Sequence, residues 1–244
     1  YSVNGRNRPD IAATGGQERF MIAALFLASS LALTGVPVKP APKASAGQIA
    51  DQRRLEECVK KIDTDPEAAY EQAMAWGNET HAPEASRCAA LAMIGRGEPL
   101  IGAQRLEALA KEKNATDMST RAEILVEAGN AFILAEQPQR AIADFDAALK
   151  IAPDSPDTLI DRARAKIMLG DWRNGEEDLS VALDKRPKDW YALTLRAQTR
   201  LKQGAYDLAL KDAEASLKLE PKNDAALEIR GAAIDAKAKV KKPS

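Results

Sequence analysis

The chain has 244 residues, 45% hydrophobic and 29% charged, enough to bury a sizeable core and too apolar to be disordered throughout. Aromatic residues are only 5%, a composition that favours helices built on alanine and leucine and excludes an aromatic-rich β-sandwich. Lys and Arg number 35 against 36 Asp and Glu, so the net charge of -1 gives no basis for nucleic-acid or polybasic membrane binding; one histidine and two cysteines cannot make a Cys/His zinc cluster.

Residues 1–20 read as an N-terminal extension of uncertain status. From Met21 to Gly35 the sequence carries no charge, and it continues through a proline-rich stretch to Ala44-Ser45-Ala46. Basic residues (Arg6, Arg8, Arg19), then an apolar run, then small residues make the pattern of a secretory signal, so 21–46 is expected to be a signal peptide cleaved near Ala46 or Gly35, or an uncleaved anchor. The expected location is periplasmic or secreted, with membrane contact only if the segment is retained. Loss of 1–46 would remove five basic and two acidic residues, leaving a net charge of -4.

Residues 47–118 are helical by pattern. Asp65-Pro66-Glu67 and Ala82-Pro83-Glu84 look like helix starts, and Gly102, Leu106 and Leu109 form one face of a further helix. Cys58 and Cys88 have a separation that suits neighbouring helices. In an oxidising compartment they are expected to pair; the other reading is two separately buried thiols.

From residue 122 a period of 34 governs the sequence. It spaces Pro153, Pro187 and Pro221; Leu125, Leu159, Leu193 and Leu227; and the small residues Gly129, Ala163, Ala197 and Gly231. Within a unit, Ala141, Phe145, Ala148 and Leu149 step by three and four, the spacing of a single buried helical face. Gly170 and Gly204 should stop the first helix of a pair, and Ser155-Pro156-Asp157 should cap and start the next. These features resemble the tetratricopeptide repeat (TPR) family, apart from its first-column tryptophan, which is leucine here. The resemblance implies an all-α, right-handed α-solenoid with units 122–155, 156–189 and 190–223 and a solvating cap helix at 224–238, together a domain of 122–244. Residues 47–118 then read as two degenerate repeats, whose second-helix face arrives about five residues early with the extra residues spent around Asn114 to Ser119, or as an unrelated helical cap.

Arg162, Arg196 and Arg230 repeat with the same period, as do Asp144, Asp178 and Asp212, each acid preceding an arginine by a constant interval. This spacing predicts an Asp-to-Arg ladder across the repeat interfaces, pairing Asp144 with Arg162, Asp178 with Arg196 and Asp212 with Arg230.

In the TPR family the first helices line a concave face along which peptides lie. The first-helix positions outside the core columns are Glu123, Glu127, Asn130, Asp157, Ile160, Asp161, Arg164, Met168, Tyr191, Leu195 and Gln198. Their acids suit a partner segment bearing Lys or Arg with some apolar anchors. Family members that hold chaperone tails use a lysine, asparagine and arginine clamp; Asn130 and Arg164 are present, but acids stand where cations would be needed. There is no phosphate loop, nucleophile elbow or metal-ligand pair, so neither catalysis nor a cofactor is expected. The sequence therefore predicts a protein-binding scaffold, the alternatives being a structural subunit of a cell-envelope assembly using its outer surface, or a cytoplasmic adaptor with a misread start.

Overall fold

The computed structural model describes residues 45–112 and 116–240, so the extension 1–20 and the signal segment up to residue 44 lie outside the described residues. Those residues form eleven α-helices and no strand. None of the helices is long and apolar enough to cross a membrane. They fall into two compact units, α1–α4 and α5–α11.

In the first unit, α1 (Ala46–Ile62), α2 (Pro66–Thr80), α3 (Pro83–Gly95) and α4 (Pro99–Lys111) follow one another through short links. Both starts read from sequence are used. Asp65 caps α2, its carboxylate accepting from the Ala68 amide at 3.0 Å, and Pro83 opens α3, each proline filling a first-turn position where no amide is needed. Ser45 and Gln48 form a reciprocal capping box at the start of α1, a device that cleavage after Ala46 would remove. α3 is buried over most of its surface because α1, α2 and α4 all pack on it. A disulfide joins Cys58 of α1 to Cys88 of α3, with Cα atoms 6.1 Å apart, and the Cys88 side chain lies wholly in the core.

The second unit contains α5 (Met118–Leu134), α6 (Pro138–Ile151), α7 (Pro156–Met168), α8 (Trp172–Lys185), α9 (Trp190–Lys202), α10 (Tyr206–Leu219) and α11 (Asp224–Val240). Each helix packs on the next, and α5, α7, α9 and α11 also touch in succession, the arrangement of a helical-hairpin solenoid. The bounds of α9–α10 are those of α7–α8 displaced by one full period. Gly170 and Gly204 adopt φ of +74° and +77° just past the first helices, as their position after the apolar run implies. Glu136 holds the same turn in the preceding unit, at φ +56°, without glycine's freedom. The N-cap column is Ser155, Asp189 and Asn223, whose side chains accept from the amides of Thr158, Ala192 and Ala226.

Gly129 is fixed by packing: a Cβ there would stand 2.6 Å from the ring of Phe145, which is fully buried. At Gly175 the constraint is milder: a Cβ would stand 3.3 Å from Ile167 Cγ1 and in ordinary contact, 3.5 Å, with the Ala163 carbonyl. α5 begins at Met118, a full turn before residue 122, and the link from α4 to α5 is longer than the link from α6 to α7.

Candidate functional site

The first helices α5, α7 and α9 lie side by side, so equivalent residues form columns across them. The column Asn130, Arg164 and Gln198 is half-buried, while Glu123 and Met168 are exposed. Asn130 Nδ2 donates to Asp161 Oδ2 at 3.1 Å, tying α5 to α7, and Arg164 Nη1 stands 3.8 Å from the other oxygen of Asp161. Asp157 is engaged by Arg186, whose Nη2 donates to Oδ1 at 2.9 Å. Glu127 and Asp161 are both buried, so two carboxylates lie at the floor of this polar face rather than on its rim. The Gln198 carbonyl oxygen, at the third position of the column, is buried without a hydrogen-bond partner.

Three residues expected on this face belong instead to the core. Ile160, Tyr191 and Leu195 are buried and share one apolar cluster with Leu159, Ala163 and Leu179. They sit where one first helix meets the next, and burial there stabilises each by about 1.5–3 kcal/mol relative to exposure. The apolar anchors assigned to the face thus reduce to Met168.

The charged ladder is real but runs in a different register. Arg162 donates through Nε and Nη2 to Asp178 at 2.9 and 2.7 Å, and Arg196 does the same to Asp212 at 2.8 and 2.9 Å. Each arginine therefore makes its two-pronged pair with the acid that follows it, on the second helix of its own hairpin, and not with the acid expected from the hairpin before, Asp144 for Arg162 and Asp178 for Arg196. A second cation completes each cluster: Lys166 Nζ lies 2.8 Å from Asp178, and Arg200 Nη1 lies 2.7 Å from Asp212.

The contact to the preceding unit comes from the remaining guanidinium nitrogen. Arg162 Nη1 donates to Asp146 at 2.7 Å and Arg196 Nη1 to Ser180 at 3.3 Å, the two acceptors standing at equivalent positions of successive units. Hydrogen bonds from Asp178 and then Asp146 outweigh the cost of burial and hold Arg162 above the usual guanidinium range. Asp144, at the same column in the first unit, is buried, but the arginine column of that unit holds Ala128. Arg230 is exposed on α11, and the Asp212 expected to pair with it is held by Arg196 and Arg200.

Sequence reasoning missed a second polar cluster. Thr194 and Ser216 bring their hydroxyls within 2.8 Å, and Asn223 Nδ2 donates to both, at 2.7 and 3.0 Å, deep between α9, α10 and α11. The cap column was the available signal. Asn223 lies one period after Asp189 and two after Ser155, so its role as the cap of α11 could be read from the repeat, though its inward donors could not. Among the described residues no group of three His, Cys, Asp or Glu side chains gathers as a metal site.

No curated protein matches the sequence. Two solved structures share the fold: MamA 41-end from Desulfovibrio magneticus RS-1, with 17% identity and a TM-score of 0.53 over 65% of this chain and 92% of that one, and a MamA RS-1 ArsTM double mutant, with 15% identity and a TM-score of 0.52 over 65% and 96%. The first TPR of Spaghetti (RPAP3), solved bound to the HSP90 peptide SRMEEVD, is 27% identical over 49% of this chain and 95% of its own, with a TM-score of 0.48. The family model described as Tetratricopeptide repeat matches residues 132–199, the stretch from the last turn of α5 to the last turn of α9. Over this segment, which holds the left-handed turns at Glu136 and Gly170 and the capped helix starts at Ser155 and Asp189, the chain is similar to tetratricopeptide repeats.

Proposed function

We propose that the protein is a non-catalytic interaction scaffold that holds a peptide or an extended segment of a partner protein along the polar face of α5, α7 and α9. The observation that carries this reading is the Asn130–Asp161–Arg164 arrangement. It continues into Gln198, whose buried carbonyl oxygen lacks a donor, as on a surface built to hydrogen-bond a ligand. A partner backbone amide or an Asn, Gln or Lys side chain supplies such a donor. Asp157 and Asp161 are already engaged by Arg186 and by Asn130 and Arg164, so the acids that favour a partner bearing Lys or Arg are Glu123, exposed on α5, and Glu127 beneath it. The same reading places the protein outside the cytoplasm, on the strength of the 21–46 segment, where the Cys58–Cys88 disulfide would persist.

The test is a comparison of partner capture from the native envelope fraction by the unaltered chain and by a Glu123→Lys, Gln198→Ala variant of unchanged helicity. Capture that falls at least tenfold supports the face as the binding surface. Capture that is indifferent to these changes transfers the function to another surface and overturns the reading.

A further inference from the structure

In each complete hairpin after Ser155, a stripe on the first helix is covered by the second. On α7 the stripe is Leu159, Arg162, Ala163 and Lys166; on α9 it is Leu193, Arg196, Ala197 and Arg200. The leucine and alanine are buried in both, and both cations converge on one aspartate of the covering helix, Asp178 or Asp212.

The same columns on α11 are Leu227, Arg230, Gly231 and Ile234. There Leu227 is 38% and Ile234 50% exposed, and a Cβ on Gly231 would meet nothing within 4 Å. Among the described residues Arg230 makes no hydrogen bond or ion pair. Other residues of α11 do the packing: Ala226, Ile229 and Ala233 are buried, and Ile229 joins Ala197 and Ala213 in one cluster. The stripe is therefore an additional face, not the one that seals the array. Ile234 makes the contrast sharper, since its column holds Lys166 and Arg200 in the hairpins before it. A helix whose task was only to solvate the end of the array would keep a cation at that position.

We propose that the α11 stripe is a docking surface for a helix of a partner protein, and that the helix carries an aspartate for Arg230. Both covering helices display what such a helix needs. In α8, Gly175, Asp178, Leu179, Ala182 and Leu183 face the stripe column by column; in α10 the equivalents are Ala209, Asp212, Ala213, Ser216 and Leu217. The recognised pattern is a small residue, an aspartate three positions on, apolar residues at four and eight, and a small residue at seven. The small residues allow close approach over Gly231, and the aspartate accepts two parallel hydrogen bonds from Arg230, as Asp178 does from Arg162. This surface is distinct from the polar face of α5, α7 and α9, and the inference does not depend on that face binding anything.

The experiment uses the full chain and a fluorescent, helix-stabilised peptide with the sequence of α8. Saturable binding is expected, weakened at least tenfold by Ile234→Glu in the protein and by Asp178→Lys in the peptide, and restored when that peptide meets an Arg230→Asp protein. Both altered protein positions are exposed, and circular dichroism verifies that the helices persist. Binding that ignores Ile234→Glu would mean that the peptide displaces the protein's own α8, and would overturn the proposal, as would absence of binding at millimolar peptide. Sedimentation provides the other arm: a dimer that Ile234→Glu dissolves would identify a second copy of this chain as the occupant and refute a heterologous partner.

Discussion

Arg162 and Asp178 face each other across one helical hairpin in fork-to-fork geometry, both guanidinium-to-carboxylate distances being below 3 Å, and the Asp178 side chain is nearly fully buried. Lys166 donates to Oδ2 of the same carboxylate, the oxygen that also accepts from Arg162 Nε. Removing the acid takes away the carboxylate that Lys166 and Arg162 share and leaves Arg162 only the half-exposed Asp146, whereas removing Asp146 leaves Arg162 still doubly bonded to Asp178. Asp178→Ala should therefore destabilise the second unit by about 2–3 kcal/mol, and Asp146→Ala, at a more exposed pair, by less than about 1 kcal/mol. Urea midpoints compare the two directly; equal losses would mean that the bidentate pair has no special weight.

Glu136 offers the opposite sign. It occupies the left-handed turn that Gly170 and Gly204 fill in the next two units, at φ +56°. A side chain in that conformation costs about 1 kcal/mol, so Glu136→Gly should raise stability by roughly 0.5–1 kcal/mol, less the entropy glycine restores to the unfolded chain. An increase in the urea midpoint at unchanged slope is the expected result, and a decrease would show that the turn is held by contacts of the glutamate itself.

Much of the second unit was legible because its signals are local and repeated. Pro153, Pro187 and Pro221 fall in the links after α6, α8 and α10, and Gly170 and Gly204 fall in the turns. Pairings between helices were less legible. Asp178 lies almost equally far along the chain from Arg162 and from Arg196, and both intervals join a first helix to a second helix that touches it. Spacing alone cannot choose between them; the tight hairpin does. Ile160, Tyr191 and Leu195 were misplaced for a related reason. Their columns are not the ones that face the hairpin partner, yet successive first helices also bury surface against one another, a contact that a single unit does not reveal. α5 escaped the period because its added first turn begins before the repeat does.

The cluster of Thr194, Ser216 and Asn223 predicts a large effect from a small change. Asn223 caps α11 through the Ala226 amide at 3.2 Å and satisfies two buried hydroxyls with its own donors. Asn223→Ala removes the cap, worth about 1 kcal/mol, and strips a partner from buried hydroxyls, so a total near about 2–3 kcal/mol is expected. Asn223→Asp keeps the acceptor and loses the donors, and should fall between the unaltered chain and Asn223→Ala. Hydrogen exchange in α11 reports the loss locally; unchanged protection in Asn223→Ala would contradict the assignment.

The disulfide should matter to the first unit alone. Cys58 and Cys88 close a loop of about 30 residues, and in the chain-entropy account such a cross-link stabilises by roughly 3–4 kcal/mol through restriction of the unfolded state. Both cysteines lie in α1 and α3, and the second unit holds no cysteine, so reduction has no covalent handle on α5–α11. A chain treated with reductant should show earlier loss of exchange protection in α1–α4, with α5–α11 unfolding as before. The Cys58→Ser, Cys88→Ser variant should match the reduced protein. If both units weaken together under reductant, their stabilities are coupled and the division into two independently melting parts fails.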